Sequence, residues 1–401
     1  MAAITGIGIV SPHGDDPQAM FAALLRGESA VQPIFPELAR PAAATTATFD
    51  VARWFTKLQL PGVDRVSQLA VAAASLALDD AGLAAPADPT RIGVYAGCGM
   101  GGAAALEAAY AGGLKGGRVP PLTVPAFMPN APAAHVAMRH GVQGPVITYS
   151  VACASSAVAL AEAAKALQHG DVDIAIAGGS EALIVPGVVS AWQALQTLAT
   201  FEPGGAARCC RPFAADRSGF VLGEGAAFMV LESVAHARRR GARIYACLAG
   251  SGIGCDATHL TKPDTAGQQR ALRAALSSAE LSPHEVGYCN AHGTATRIGD
   301  AVEADALRAV WGDAIGDLRV SSTKALHGHL LGAAGALEAV ITVLAVQRGE
   351  LPPSMHCDAP DPACALALVR EPGTAAPDLR AAISSSFAFG GTNVVLAFRR
   401  A

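Results

Sequence analysis

The residues Val146-Ile-Thr-Tyr-Ser-Val151 form an apolar, β-branched run that leads into Ala-Cys-Ala-Ser-Ser156 and an alanine-rich stretch. Cys153 therefore falls where a predicted strand turns into a predicted helix. A thiol at a helix N-terminus meets unpaired amides and the positive end of the helix dipole, which favour the nucleophilic thiolate. The same amides can hold a developing oxyanion. The plainer reading is a small apolar residue filling an alanine-rich turn, and two other segments weigh against it. Cys289-Asn-Ala-His-Gly-Thr-Ala-Thr296 brings His292 out of a strand beside a glycine and two threonines. Ser321-Ser-Thr-Lys-Ala-Leu-His-Gly-His-Leu-Leu-Gly-Ala-Ala-Gly335 does the same for His329. In open α/β sheets, active-site groups gather beyond the carboxyl ends of strands. A third segment, Ile383-Ser-Ser-Ser-Phe-Ala-Phe-Gly-Gly-Thr-Asn393, sets Phe389 before paired glycines, which suits a mobile aromatic gate or a second oxyanion donor.

The elements that must carry these residues are short apolar runs alternating with longer Ala/Leu-rich segments, the pattern of an α/β layered fold. In the first half, 4–10, 91–96, 146–151, 174–177 and 220–231 read as strands, with helices at 67–81 and 154–169. In the second half, 244–250, 286–290, 318–322, 381–386 and 394–399 read as strands, with helices at 267–279, 300–310 and 333–347. The same order recurs in both, so a duplicated architecture is expected. Segments 112–132, 203–219 and 349–362 are rich in glycine and proline and read as long loops.

Composition excludes several classes. The chain has 401 residues, of which 51% are hydrophobic and 15% charged, with a net charge of −4. That balance offers no basic stripe for nucleic acid. No uninterrupted apolar run of membrane-spanning length is expected, because Glu338 breaks the most apolar helix. The N-terminus reads as a strand rather than a signal peptide, which makes the cytoplasm the default location. Nine scattered cysteines without a CxxC pair suggest reduced thiols, and Cys209-Cys210 reads as loop structure. Gly6-Ile-Gly8 lacks the rest of a dinucleotide fingerprint, so no nicotinamide is implied.

Together with Thr5-Gly-Ile-Gly-Ile-Val-Ser-Pro12 and Arg211-Pro-Phe-Ala-Ala-Asp-Arg-Ser-Gly-Phe-Val-Leu-Gly-Glu-Gly225, these motifs resemble the elongating, type II-like β-ketoacyl-acyl-carrier-protein synthases of the thiolase superfamily. The resemblance runs over nearly the whole chain. It implies a thiolase-like, five-layered αβαβα fold of two similar halves: 1–240 with the nucleophile, 241–401 with the two histidines and the phenylalanine gate. It implies that Cys153 takes an acyl chain from the phosphopantetheine of acyl carrier protein. The amides of Cys153 and Phe389 would form the oxyanion hole. His292 and His329 would promote loss of CO2 from a malonyl thioester and stabilise the carbanion that attacks the acyl group, in fatty acid or polyketide/polyene elongation.

The same resemblance makes Lys324 the residue orienting this set and Glu338 its supporting carboxylate, with Asp300 and Glu303 as loop anchors. Thr261, Thr294 and Thr296 would line the pantetheine tunnel, and Met100, in Gly97-Cys-Gly-Met-Gly-Gly102, would sit near the acyl tail. No metal and no dissociable cofactor are implied. The partners implied are acyl carrier protein and a homologous subunit. The subunits pair as a homodimer or, as the alternative, as a heterodimer with a chain-length-factor-like partner, and the resemblance puts the contact region at 133–144 and the strand before Cys153. Two positions depart from the pattern. His327 stands where relatives carry a small hydroxyl residue, and it is read as shaping the site or the acyl gate. Around 54–65, where relatives cluster basic residues for the carrier, only Lys57 and Arg65 are placed, so Arg208 and Arg211 could substitute. A catalytically silent partner subunit, a thiolase with a second cysteine, and an initiating synthase with asparagine for one histidine are each disfavoured by Cys153 with His292 and His329.

Overall fold

The computed structural model describes residues 1–83 and 88–401. The first strand, β1 (Ala2–Val10), is buried along its whole length. A Cβ on Gly6 or Gly8 would lie 2.2 Å from Ala77 O or 2.0 Å from Ala73 O, so the glycines let a helix lie directly on the strand. Strands β2 (Ile92–Gly97), β3 (Val146–Tyr149), β4 (Ile174–Glu181) and β5 (Gly225–Ser233) complete the first half. The second half opens with β6 (Ala246–Cys255), where a Cβ on Gly250 or Gly252 would lie 2.4 Å from Ala279 N or 2.0 Å from Ala271 O, so a helix again lies directly on the strand. It continues with β7 (Tyr288–Asn290), β8 (Arg319–Ser321), the short β9 (Ala367–Leu368), β10 (Ala381–Phe387) and β11 (Thr392–Arg400).

The strands run in the order β9-β8-β7-β10-β11-β6-β1-β5-β4-β2-β3. Outward from the centre, the first half reads β1-β5-β4-β2-β3 and the second β6-β11-β10-β7-β8. In both, the first two steps are antiparallel and the last two parallel. The halves therefore repeat strand order and direction, with β9 added in parallel on the second. They meet where Ala2–Ile4 of β1 pair with Ala246–Leu248 of β6.

Helices α1 (Arg65–Asp80) and α2 (Ala131–His140) cover the outer face of the first half, and α3 (Ser155–His169) its inner face. Helices α4 (Thr265–Ser278) and α5 (Arg297–Trp311) cover the outer face of the second half, and α6 (Ala334–Arg348) its inner face against α3. This gives five layers, α, β, α, β, α. Helix α6 is buried from Ala334 to Val346. Contrary to the sequence reading, Leu331–Arg348 is long and apolar enough to cross a membrane, but it is 89% buried as the central core helix.

The strands and helices read from sequence all occur, with shifted ends. Residues 220–231 split into Leu222–Gly223, in a small separate sheet, and β5. Helices Ala103–Leu114 and Pro186–Ala194, as well as α2, were not expected, and the 112–132 loop contains a short helix at Thr123–Phe127. Alanine and glycine dominate Ala103–Leu114, and only its first residue is buried, so it carries no apolar periodicity to read. The expected contact region at 133–144 is half core: Ala133 and Val136 are buried under the outer layer, whereas Met138 is exposed.

Candidate active site

Cys153 sits in a tight turn, Ala152–Ala154, between β3 and α3. Ala152 adopts φ +47, a left-handed conformation unfavourable for a residue with a Cβ, and the bend it makes aims the cysteine off the strand. From the other half, His329 follows β8 through Gly328 at φ +70. The His329 amide donates to Val221 O at 2.7 Å, and its carbonyl accepts from the Gly223 amide at 2.9 Å. Leu331, also left-handed at φ +46, donates its amide to His329 Nδ1 at 3.3 Å. With Nδ1 accepting, the ring proton belongs on Nε2. Nε2 lies 3.1 Å from Cys153 Sγ, so the imidazole presents an N–H donor to the reaction centre.

His292 leaves β7 and packs edge-on to His329, with ring centroids 5.4 Å apart. Side-chain donor atoms of Cys153, His292 and His329 all lie within 4.8 Å of one another. Glu303 of α5 fixes the His292 loop, accepting the amides of His292 at 2.8 Å and Gly293 at 2.7 Å. Asp300 accepts the Phe213 amide at 2.7 Å and lies 3.6 Å from the Arg217 guanidinium. Both carboxylates thus hold loop amides in place.

Lys324 and Glu338 are fully buried and form an ion pair. Their atoms are in charge contact without the alignment of a good hydrogen bond. Burial raises the Glu338 carboxyl to about 7 against the pull of Lys324. Burial, then the Lys324 charge, holds both His292 and His329 well below the usual imidazole range. Both rings are therefore neutral near pH 7. The sequence reading favoured a thiolate at Cys153, but burial wins and pushes the thiol up to about 12. Lys324 and a hydrogen bond from the Phe389 amide pull the other way.

The cavity above Cys153 has a volume of about 370 Å³ and is walled by Thr261, Thr294, Thr296 and Phe389 among others. Thr294 Oγ1 and Thr296 Oγ1 are 3.0 Å apart. The three threonines and the phenylalanine expected from sequence therefore line the cavity that holds the sulfur. Met100 is not. It is 52% exposed and lines a neighbouring apolar groove of about 460 Å³ with Leu106 and Tyr110. Trp192 and Leu195 form part of both walls. Trp192 stacks against Phe389 at 6.1 Å and meets Phe220 edge-on at 5.5 Å, and Phe220 meets His329 at 5.3 Å. Sequence reasoning missed Trp192 and Phe220. It also missed Glu181, a buried carboxylate that accepts the amides of Gly99 at 2.8 Å and Gly332 at 3.0 Å, tying the Met100 loop to the His329 turn.

His327 does not shape the cavity. Its ring is fully buried, donating from Nδ1 to Gly328 O at 2.7 Å and accepting at Nε2 from Thr323 Oγ1 at 2.8 Å. Of the basic residues expected to dock a carrier, Arg65 is bound to the buried Glu224. Arg208 pairs with Asp358 and Arg211 with Asp216, while Lys57 is exposed and makes no ion pair among the described residues.

A thiol met by a neutral imidazole N–H and a backbone amide, beneath a hydroxyl-lined cavity at the junction of two repeated halves, defines a thiolase-like acyl-transfer site. Residues 2–237 match the β-ketoacyl synthase N-terminal domain and residues 245–358 its C-terminal domain. The chain belongs to the β-ketoacyl synthase family. It is a ketosynthase, an acyl-transferring condensing enzyme. It is 40% identical over 408 residues to nodulation protein E of Rhizobium sp. (strain N33), covering 99% of this chain and 98% of that one. It is 38% identical over 407 residues to 3-oxoacyl-[acyl-carrier-protein] synthase 2 of Staphylococcus aureus (strain COL), covering 99% and 97%. Among solved structures, the ishigamide ketosynthase/chain length factor superposes with a TM-score of 0.92 at 30% identity, covering 100% of this chain and 99% of that one.

Proposed function

We propose that this ketosynthase elongates acyl chains by decarboxylative Claisen condensation on acyl carrier protein, with Cys153 as nucleophile. The observation that carries the reading is the contact between His329 Nε2 and Cys153 Sγ at 3.1 Å, with His292 packed beside it. In the first half-reaction the sulfur attacks the carrier-bound thioester, and the Cys153 and Phe389 amides hold the oxyanion. The carrier thiol leaves with the proton that Cys153 gave up. In the second, a malonyl thioester loses CO2. Its carbonyl oxygen gathers charge beside the His292 and His329 N–H groups, and the carbanion attacks the Cys153 thioester. A carbon–carbon bond forms, the carbon–sulfur bond to Cys153 breaks, and the thiol is restored on protonation. Burial, reinforced by the charge of Lys324, keeps both imidazoles neutral and hence suited to donate to an enolate.

The acyl groups travel on the phosphopantetheine arm of the carrier, and the site needs no dissociable cofactor or metal for this chemistry. Thr261, Thr294 and Thr296 offer hydroxyls to the arm's amides. Residues 1–240 and 241–401 act as the two halves that supply the thiol and the imidazoles. Nine free cysteines fit a reducing compartment such as the cytoplasm.

A homologous second subunit completes the enzyme. Strand β3 lies at the end of the sheet with Val146 and Ile147 about 40% exposed, at 40% and 41%. Tyr110, Leu114 and Val124 are exposed on 103–127, and Tyr110 lines the Met100 groove. An unpaired edge with exposed apolar side chains favours pairing with a like strand. The ishigamide relative is a ketosynthase/chain length factor, so a heterodimer with a chain-length-factor-like subunit stands beside the homodimer.

The test is intact-mass analysis with acyl carrier followed by malonyl carrier. The wild-type chain is expected to gain one acyl mass on Cys153, then release a product two carbons longer and one CO2. His292→Ala is expected to load Cys153 but stall before CO2 release. Condensation by that variant at the parental rate would refute the role given to His292.

A further inference from the structure

The mouth of the Cys153 cavity carries a set of donors that the condensation chemistry does not use. Lys262 and Arg297 both line it and both are exposed. Neither makes an ion pair among the described residues. Asp361 lies within electrostatic reach of Arg297 but is already bonded to Arg217 at 2.7 Å. His259, on the same wall, accepts the amides of Thr261 at 3.1 Å and Lys262 at 3.2 Å at Nδ1. That leaves its ring proton on Nε2, a third donor at the mouth. The single carboxylate on the cavity wall, Glu303, has both oxygens taken by the His292 and Gly293 amides. The mouth therefore presents positive groups and, among the described residues that line it, no free acid to neutralise them.

By burial, the cavity thus runs from the exposed Lys262, Arg297, His259 and Thr261 through the half-buried Thr296 to the buried Thr294 and the thiol. We infer that Lys262, Arg297 and His259 form a phosphate-binding collar that holds the phosphate end of the pantetheine arm while its thioester reaches Cys153. This rests on the carrier-thioester reading above and adds to it the residues that recognise the anion. The match is one of chemistry and order. A phosphate on a flexible linker bearing amides and ending in a thioester needs charge-assisted donors at one end and an acyl acceptor at the other. The same phosphate could come from a carrier-bound arm or from coenzyme A, and the collar recognises the group they share.

The experiment measures acyl transfer to Cys153 by intact mass from four donors: acyl-pantetheine, acyl-phosphopantetheine, acyl-coenzyme A and acyl carrier. The parent chain is expected to favour acyl-phosphopantetheine over acyl-pantetheine by about tenfold in kcat/KM, a discount on two charged contacts for solvent screening. In the Lys262→Ala/Arg297→Ala variant that ratio is expected to fall to near one. His259→Gln is expected to lower it by a smaller factor. A parental ratio near one overturns the collar, as does a variant that loses both small donors equally and so keeps the ratio. Preference for coenzyme A or for the carrier among the phosphorylated donors identifies the source. If no thioester loads the parent chain at all, the underlying reading of the site fails, an outcome distinct from loss of the phosphate preference alone.

Discussion

Alkylation of Cys153 reports directly on the balance that sets its reactivity. Burial opposes the thiolate more strongly than Lys324 and the Phe389 amide support it, and the thiol stands at about 12. An ordinary cysteine titrates near about 8.5, so the thiolate fraction at pH 7.5 falls by about three and a half orders of magnitude. A more basic thiolate is intrinsically more nucleophilic, with a Brønsted slope of about 0.4–0.5, which returns about one and a half of those decades. The net expectation is alkylation by iodoacetamide about a hundred-fold slower than a free cysteine, before restricted access is counted. The sign of the pH dependence follows. Since the fraction ionised rises tenfold per unit below the pKa, the rate should climb about tenfold per unit from pH 7 to 9 with no plateau. Peptide mass spectrometry after timed labelling reads Cys153 against the exposed Cys255 in the same sample. A plateau for Cys153 below pH 8 would refute the argument, because it would mean that the amide, Lys324 and the His329 N–H together outweigh burial.

Two further predictions concern groups beneath the site. Lys324→Met or Glu338→Leu alone strands a buried charge and is expected to lose about 3–5 kcal/mol, with the double variant losing less than either single. Urea midpoints in a double-mutant cycle decide this, and additive losses would argue that the two residues stabilise the fold independently. His327→Thr gives up two buried hydrogen bonds and is expected to lower stability by about 1–3 kcal/mol while leaving product chain lengths as they are. A change in product length would restore His327 to the acyl pocket and contradict its geometry.

Much of this architecture is legible in the sequence because strands buried on both faces and alanine-rich helices leave strong apolar signals. Cys153, His292, His329 and Phe389 are legible because each follows a strand and interrupts it with chemistry. What escapes is contact that depends on distant segments. Arg65 lies in a stretch that reads as a docking surface, yet its partner is Glu224, 159 positions away. His327 reads as shaping the site because it is two residues from His329, but Gly328 turns the chain and both His327 nitrogens are bonded away from the cavity, to Gly328 O and Thr323 Oγ1. Met100 lies near the cysteine in the layers, but Trp192 comes from a helix without a readable face and stands between them. The Cys153 protonation state was misjudged for the same reason. Helix geometry is visible in sequence, whereas the depth of burial that overrides it is not.

The repeated halves explain why the site lies where it does. Cys153 follows the third strand of the first half, and Lys324 with His329 follows the third strand of the second, while His292 and Phe389 follow strands two and four. Since corresponding strands end at corresponding places, the two halves direct their carboxyl ends toward one shared volume beside the central helices. Gly332 marks how tightly they close, because a Cβ there would lie 2.4 Å from the Gly99 amide of the first half. A single half could present a thiol at a helix N-terminus or a pair of imidazoles, but not both across one cavity. The thiol and the imidazoles are therefore separated in sequence by the duplication and joined in space by it, which allows each to be tuned by its own surroundings: Cys153 by burial against the pull of Lys324 and the Phe389 amide, and the histidines by burial and then the Lys324 charge.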